Sequence, residues 1–354
     1  MFEVHSFTFL LIIAYFFDWI RIKIQEKTNF FAKAIDNHRK RVYNGFTKTD
    51  RESEKKKEKT KMKKIISLVL ALAMLCGATF ALASCGGGKT KIGVQAGTTG
   101  EFYVKGNADM LLDGYSNIEC MAYNNGGLAV KAMIDGQIDY VVIDNEPAKQ
   151  LLAQNEGKIK LIDIALTTEE YAYGVDKAQP ELLESVNAFL AKIKNDGTLK
   201  AIFDKYAALE YDDEGNVIGG DEAIEGIASA TKDNSKADKQ LVVSTNAAFA
   251  PYEYKKGDKF VGIDMEIAKL LADELGLELV IDDMDFDAVV TSVGKNGVDI
   301  AMAGLSVTAT RKQSVNFSDS YYEGAYQLLI VKADNTEFDA CKTKADVEAI
   351  LKDK

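Results

Sequence analysis

Beyond residue 90 the chain alternates short apolar runs with longer stretches of helical period. "KIGVQA" (91–96) and "IECMAY" (118–123) read as strands, and "GGLAVKAMIDGQ" (126–137) as a helix with Leu128, Ala129 and Met133 on one face. "IDYVVID" (138–144) is a further strand. "EPAKQLLAQNE" follows as a helix with Pro147 near its first turn, where a missing N–H breaks no helical bond. "IKLIDIAL" and "EYAYGVD" continue the alternation, and Pro180–Asn195 and Thr198–Ala207 read as two helices. Residues 208–238 break the rhythm: they are acidic, contain Gly and Ser, and carry no long apolar face, so a linker is expected there. A second block opens at "KQLVVSTNAAFAPYEY". Its helix "GIDMEIAKLLADELG" (262–276) sets Ile263, Ile267, Leu270 and Leu271 along one stripe, and "LELVID", "FDAVVTSVGKNG" and "VDIAMAG" complete a strand–helix–strand series. Such alternation with short loops predicts the α/β class, with mostly parallel sheets flanked by helices and ligands collecting at the strand C-terminal ends.

The segment before this pattern has a different character. "MKKIISLVLALAMLCGATFALASC", Met62 to Cys85, has the basic start, apolar middle and small-residue end of a secretory signal. Its ending, Leu82-Ala83-Ser84-Cys85, resembles the bacterial lipoprotein box, which implies a lipid on Cys85 and a mature N-terminus there, with Gly86–Gly88 as a flexible tether. Residues 1–61 hold an apolar run, Phe7 to Phe17, and a basic tail, "RESEKKKEKTKMKK". Translation is expected to begin at Met62, which makes residues 1–61 an upstream extension; a membrane anchor is the alternative.

Charge narrows the function classes. After Cys85 the chain has 27 basic and 46 acidic side chains, a net of −19, which argues against nucleic acid as a partner. Both histidines, His5 and His38, precede Cys85. The remainder therefore offers no Ser–His or Cys–His nucleophile pair and no histidine metal site, and neither metal nor cofactor is expected. About 270 residues suffice for two lobes with separate cores.

The 27 cations after Cys85 are 26 lysines and one arginine, Arg311, in "AGLSVTATRKQSVNFS" (303–318). A guanidinium grips a carboxylate through two parallel hydrogen bonds and keeps its charge when buried, as an ammonium does not. An ordinary surface charge is the competing reading.

The motifs around Arg311 resemble a known family. "FAPYEY…FVGIDMEIAKLLADELG" and "DIAMAGLSVTATRKQSVNFSDSYY" resemble lobe one of the polar amino-acid solute-binding proteins of ABC importers (family 3, type II periplasmic-binding fold). "IGVQAGTTGEFYV…DYVVIDNEPAKQLLA…TTEEYAYGVDK…LLESVNAFLAKIKNDGTLKAIFDKYA" resembles lobe two and the C-terminal helices. The family places lobe one first. Here the order is reversed, and "CKTKADVEAILKDK" at the end is the segment that the family places just before "KIGVQAGTTG". The resemblance thus implies a circular permutant, with a truncated tandem protein as the rival. Lobe two would span 91–168, completed by 334–354; 169–207 would supply a return strand and helices packing on lobe one; 208–238 would join the old termini; and 239–333 would form lobe one. Two hinge strands would cross near Thr168–Val175 and Leu328–Asp334, and Phe338, Val347, Ile350 and Leu351 would form the buried face of the closing segment.

Carried over by position, Arg311 would grip a ligand α-carboxylate with Gly304 and Ser306 beside it. Thr98 and Thr99 would open a helix whose N-terminus favours an anion. Asp144 would receive the α-ammonium, although an N-cap is its bland alternative. Phe249 and Phe286 would wall the side-chain pocket. Asn246 and Gln95, where relatives can carry charged groups, point to a neutral or polar ligand side chain. Cys120 and Cys341, both assigned to lobe two, could pair as a disulfide or stay as two thiols. The implied function is an extracytoplasmic, lipid-anchored protein that captures an L-amino acid and delivers it to an ABC importer permease. A dehydratase-like enzyme, with Glu101 or Glu253 as general acid, and a sensor domain are the alternatives on this fold.

Overall fold

"KIGVQA" forms β1 (Thr90–Gln95), and after it come β2 (Ile118–Tyr123), β3 (Tyr140–Asp144) and β4 (Ile159–Ile162). The computed structural model describes residues 89–211, 217–220 and 224–354, all within the unit Gly88–Lys354. The extension expected over 1–61 and the signal and lipid site at 62–85, Cys85 included, lie outside the described residues.

The chain then crosses to a second sheet through β5 (Glu169–Tyr171) and β6 (Gly174–Val175). Helices Pro180–Asn195 and Thr198–Ala207 follow, then β7 (Glu210–Tyr211), β8 (Val217–Gly219) and β9 (Gln240–Thr245). A small antiparallel ribbon, β10 (Ala248–Phe249), β11 (Glu253–Lys256) and β12 (Lys259–Val261), precedes helix Ile263–Leu275. The remaining strands are β13 (Glu278–Asp283), β14 (Ile300–Ala301), β15 (Asn316–Phe317), β16 (Tyr322–Ala325) and β17 (Gln327–Lys332).

The two five-stranded sheets share one plan. The first runs β2-β1-β3-β17-β4, with β17 antiparallel to both neighbours and the other four strands pointing one way. The second runs β13-β9-β14-β6-β15, with β6 as the reversed strand. Each reversed strand is the one that has crossed from the other lobe. Both sheets are covered on two faces, so neighbouring residues of a strand enter different cores. Tyr140 and Val142 pack in one cluster and Val141 and Ile143 in another, as do Leu329 and Val331 against Leu328 and Ile330. This two-sided burial is why "YVVI" and "LLIV" are continuous apolar runs rather than alternating ones.

Several expectations need revision. The second crossing is not Leu328–Asp334, because Gln327–Lys332 already lies inside the first sheet; the strand that pairs with β5 at the crossing is β16. The lobe built on β1 to β4, expected as 91–168 completed by 334–354, therefore also takes β17, residues 327–332, which were expected in lobe one; below, the lobe of β1 to β4 is the first lobe and the other the second. The 208–238 stretch is more than a connector: Ile224 is buried in the second lobe's core, and Ile227 exchanges main-chain bonds with Phe260. Leu128 and Leu270 are exposed at 48% and 37%, the helix arcs that touch the sheets being narrower than their apolar stripes.

The closing segment packs on the first sheet. Phe338, Val347 and Leu351 are buried with Ile92 and Val94, and Ile350 lies against the same cluster. Helix Lys344–Lys352 starts with a capping box between Thr343 and Asp346. Asn117 Nδ2 donates to Leu351 O at 2.8 Å and to Lys352 O at 3.3 Å. Cys120 and Cys341 border this cluster as two free thiols. Cys120 stands near Lys105 and Glu101, whereas Cys341 lies near Asp346, so the two side chains face different neighbours and the disulfide is not formed.

Candidate functional site

The cleft is built where strand ends of the two sheets face each other. After β1 the chain turns at Gly97, in the left-handed region at φ 76°, where an added Cβ would sit 2.9 Å from Asp287 Cα of the other lobe. A side chain there would collide with the facing backbone, which explains the glycine. Thr98 then caps helix Thr99–Lys105, accepting from Glu101 N at 3.3 Å. Glu101 accepts from Gly97 N at 2.6 Å and pairs with Lys105, so it braces this turn.

Arg311 reaches the same turn from the second lobe. Thr308 caps its short helix, Ala309–Lys312. The guanidinium is buried, 5.3 Å above the Phe286 ring, and donates from Nη1 to Ser306 O at 2.8 Å and from Nη2 to Gly97 O at 3.1 Å. Burial pulls its pKa below the ordinary arginine value, opposed by the charges of Glu169 and Asp144. The surface-charge reading therefore falls. Gly304 is held by Asp264, whose Oδ2 accepts its N–H at 2.9 Å, and its φ of 53° leaves no room for a Cβ against Phe249.

Asp144 ends β3 at the N-cap position of helix Asn145–Gln154, yet its side chain makes no capping bond. It accepts instead from the Tyr171 hydroxyl. Burial, and then the nearby Glu169 charge, push its carboxyl up to about 7. A charged group in such a place is costly unless a cation completes it.

Gln95 Nε2 donates to Asn246 Oδ1 at 2.9 Å across the cleft, while Asn246 Nδ2 binds Met284 O at 2.7 Å. Phe249 stacks on Tyr252, with ring centroids 5.9 Å apart. A cavity of about 180 Å³ opens beside Phe249, bordered by Ile143, Asn125, Gln150 and Gln154. Glu253 is fully buried behind Tyr252, its pKa raised well above the usual range by burial and by Asp264.

All ten cleft residues named from the sequence thus converge on one inter-lobe region. Sequence reasoning missed Glu169, which accepts from Thr99 Oγ1 at 2.7 Å and from Ser306 Oγ, and Gln327, which donates to Thr99 at 2.9 Å. Glu169 sits on the crossing strand β5 and Gln327 at the start of β17, where no local pattern marks which residue turns inward.

Residues 241–353 match the model of the bacterial extracellular solute-binding proteins, family 3. That segment is similar to the family over about a third of the chain. Within it lie Arg311, Ser306, Gly304, Asn246, Phe249 and Phe286, and it runs on through β17 into the closing helix. The chain is 37% identical over 113 residues to the arginine-binding extracellular protein ArtP of Bacillus subtilis, covering 32% of this chain and 44% of that protein. It is 30% identical over 108 residues to a probable histidine-binding protein of Campylobacter jejuni, covering 30% and 41%. The chain thus spans less than half the length of these curated relatives. Among solved structures, the arginine-bound domain 1 from TmArgBP aligns at 29% identity with a TM-score of 0.25, covering 35% of this chain and all of that one. The architecture itself is α/β, two mostly parallel sheets flanked by helices.

Proposed function

We propose that this chain captures an L-amino acid outside the cytoplasm and hands it to an ABC importer permease. The observation that carries the reading is the opposition of two buried charges, Arg311 from one lobe and Asp144 from the other, at a cleft that also holds a helix N-terminus. A free amino acid has a carboxylate and an ammonium one carbon apart, and it satisfies both charges at once. The Gln95–Asn246 amide pair supports a neutral or polar side chain. The relatives' names make arginine and histidine the first competitors to test. Closure about β5 and β16 would bury the ligand between the lobes. Anchoring through lipidated Cys85 is the membrane attachment we propose, on the strength of Leu82-Ala83-Ser84-Cys85.

A circular permutation of the family order accounts for both blocks. Lys89 Nζ donates to Ser116 O at 2.8 Å, and Asn117 next to it holds the carbonyls of Leu351 and Lys352, so the two ends of the described unit meet at adjacent residues. Calorimetry against the twenty amino acids tests the function. Arg311→Ala should weaken binding by about 3–5 kcal/mol, because a ligand carboxylate would be buried unpaired. Binding within a few-fold of wild type would remove Arg311 from the site.

A further inference from the structure

Glu169 is a cleft carboxylate within "TTEEYAYGVDK" to which the sequence assigns no role. It sits on β5, where the chain crosses between lobes, and only 9% of it is exposed. Three hydroxyls fix its orientation. Thr99 Oγ1 from the first lobe donates to Oε2 at 2.7 Å, Ser306 Oγ from the second lobe donates to the same oxygen, and Thr167 Oγ1 donates to Oε1 at 2.5 Å. Asp144 is its acidic neighbour, and the two carboxylates face a single cation, Arg311, whose fork is turned toward main-chain carbonyls. The other titratable groups that bear on the pair are Tyr171, which donates to Asp144, and Tyr252 and Glu253 behind it.

We infer that Glu169 and Asp144 together receive the ligand's ammonium group, which makes Glu169 a specificity-determining residue that favours amino acids over plain carboxylic acids. This rests on the amino-acid reading above. Two neighbouring carboxylates repel each other until a cation enters, and an ammonium has three N–H donors to divide between them. The hydroxyls hold Glu169 in place beforehand, so little ordering remains to be done on binding.

A sign follows for the proton. Burial and the Glu169 charge push Asp144 up to about 7, so its carboxyl carries a proton over part of the neutral range. An entering ammonium favours the ionised Asp144 carboxylate and expels that proton. Affinity should therefore fall as pH drops below about 7 and level off above it.

The experiment uses the tightest-binding of the twenty amino acids and its des-amino analogue. Each is titrated calorimetrically into wild type and Glu169→Gln in two buffers of different ionisation enthalpy. Wild type should release a proton near pH 7. Glu169→Gln should bind the amino acid at least about tenfold more weakly, lose less for the des-amino acid, and release its proton at lower pH because Asp144 no longer feels a second charge. Should Glu169→Gln fail to fold, Glu169→Asp serves, with weaker binding and proton release retained. Equal or tighter amino-acid binding by the variant overturns the inference, since Glu169 would then be structural or a stand-in for the ligand carboxylate on Thr99 and Ser306. A wild type that binds none of the twenty overturns the amino-acid reading itself.

Discussion

Phe338→Ala tests whether the closing segment is part of the first lobe. The ring is 1% exposed and meets Tyr140 edge-on, with centroids 5.2 Å apart and planes at 89°. Tyr140 in turn donates to Glu337 at 2.5 Å, so the contact ties β3 to the chain just before Phe338. Truncating a buried phenylalanine costs about 3–5 kcal/mol, of which the edge contact supplies about 0.5–1.5. For a unit of this size that lowers the melting temperature by roughly 6–15 °C. Circular dichroism melts of wild type, Phe338→Ala and the control Leu111→Ala would measure it. Leu111 is 91% exposed, and its truncation should change stability by less than about 0.5 kcal/mol. A Phe338→Ala melt within 1 °C of wild type would refute the packing argument. Melts at two protein concentrations sharpen the test: an intramolecular contact gives one temperature, whereas a segment supplied by a second molecule gives a temperature that rises with concentration.

Two further outcomes are expected. Cys85→Ala should move the protein from the membrane fraction to the soluble fraction or leave it unprocessed, and protein of the mature size that stays membrane-bound would refute anchoring through Cys85. Burial pushes Asp264 up to about 6, above its ordinary 3.8. A carboxyl raised in the folded state stabilises fully below its unfolded value and loses that contribution as pH rises through the folded one. Urea unfolding should thus show wild type losing stability relative to Asp264→Asn between about pH 4 and pH 6, and a constant difference across that window would refute the assignment.

The parts of the fold legible in sequence were those decided locally. "YVVI" gave itself away as a strand because two cores claim alternate residues, and helix Ile263–Leu275 because its stripe is long. Ile224 and Ile227 were missed because two isolated apolar residues make no period; their burial depends on distant partners such as Phe260. Arg311 stood out through its rarity and Asp144 through its place at a strand end. Glu169 did not, since "TTEEYAY" offers two adjacent acids. Which of them turns inward is settled by Thr99 and Ser306, 70 and 137 residues away.

The exchange of reversed strands gives the chain the character of a split protein. A nick in the 212–223 stretch would leave one piece carrying β1 to β6 and another carrying β9 to β17. Neither piece owns a complete five-stranded sheet. The first lacks β17, without which β3 and β4 have no common neighbour, and the second lacks β6, which lies between β14 and β15. The halves would stay clasped through the main-chain bonds of both sheets, separating only when both unfold. Two genes encoding the halves would accordingly yield one folded unit by reassembly, while either half alone would present an open sheet seam to any strand that fits it.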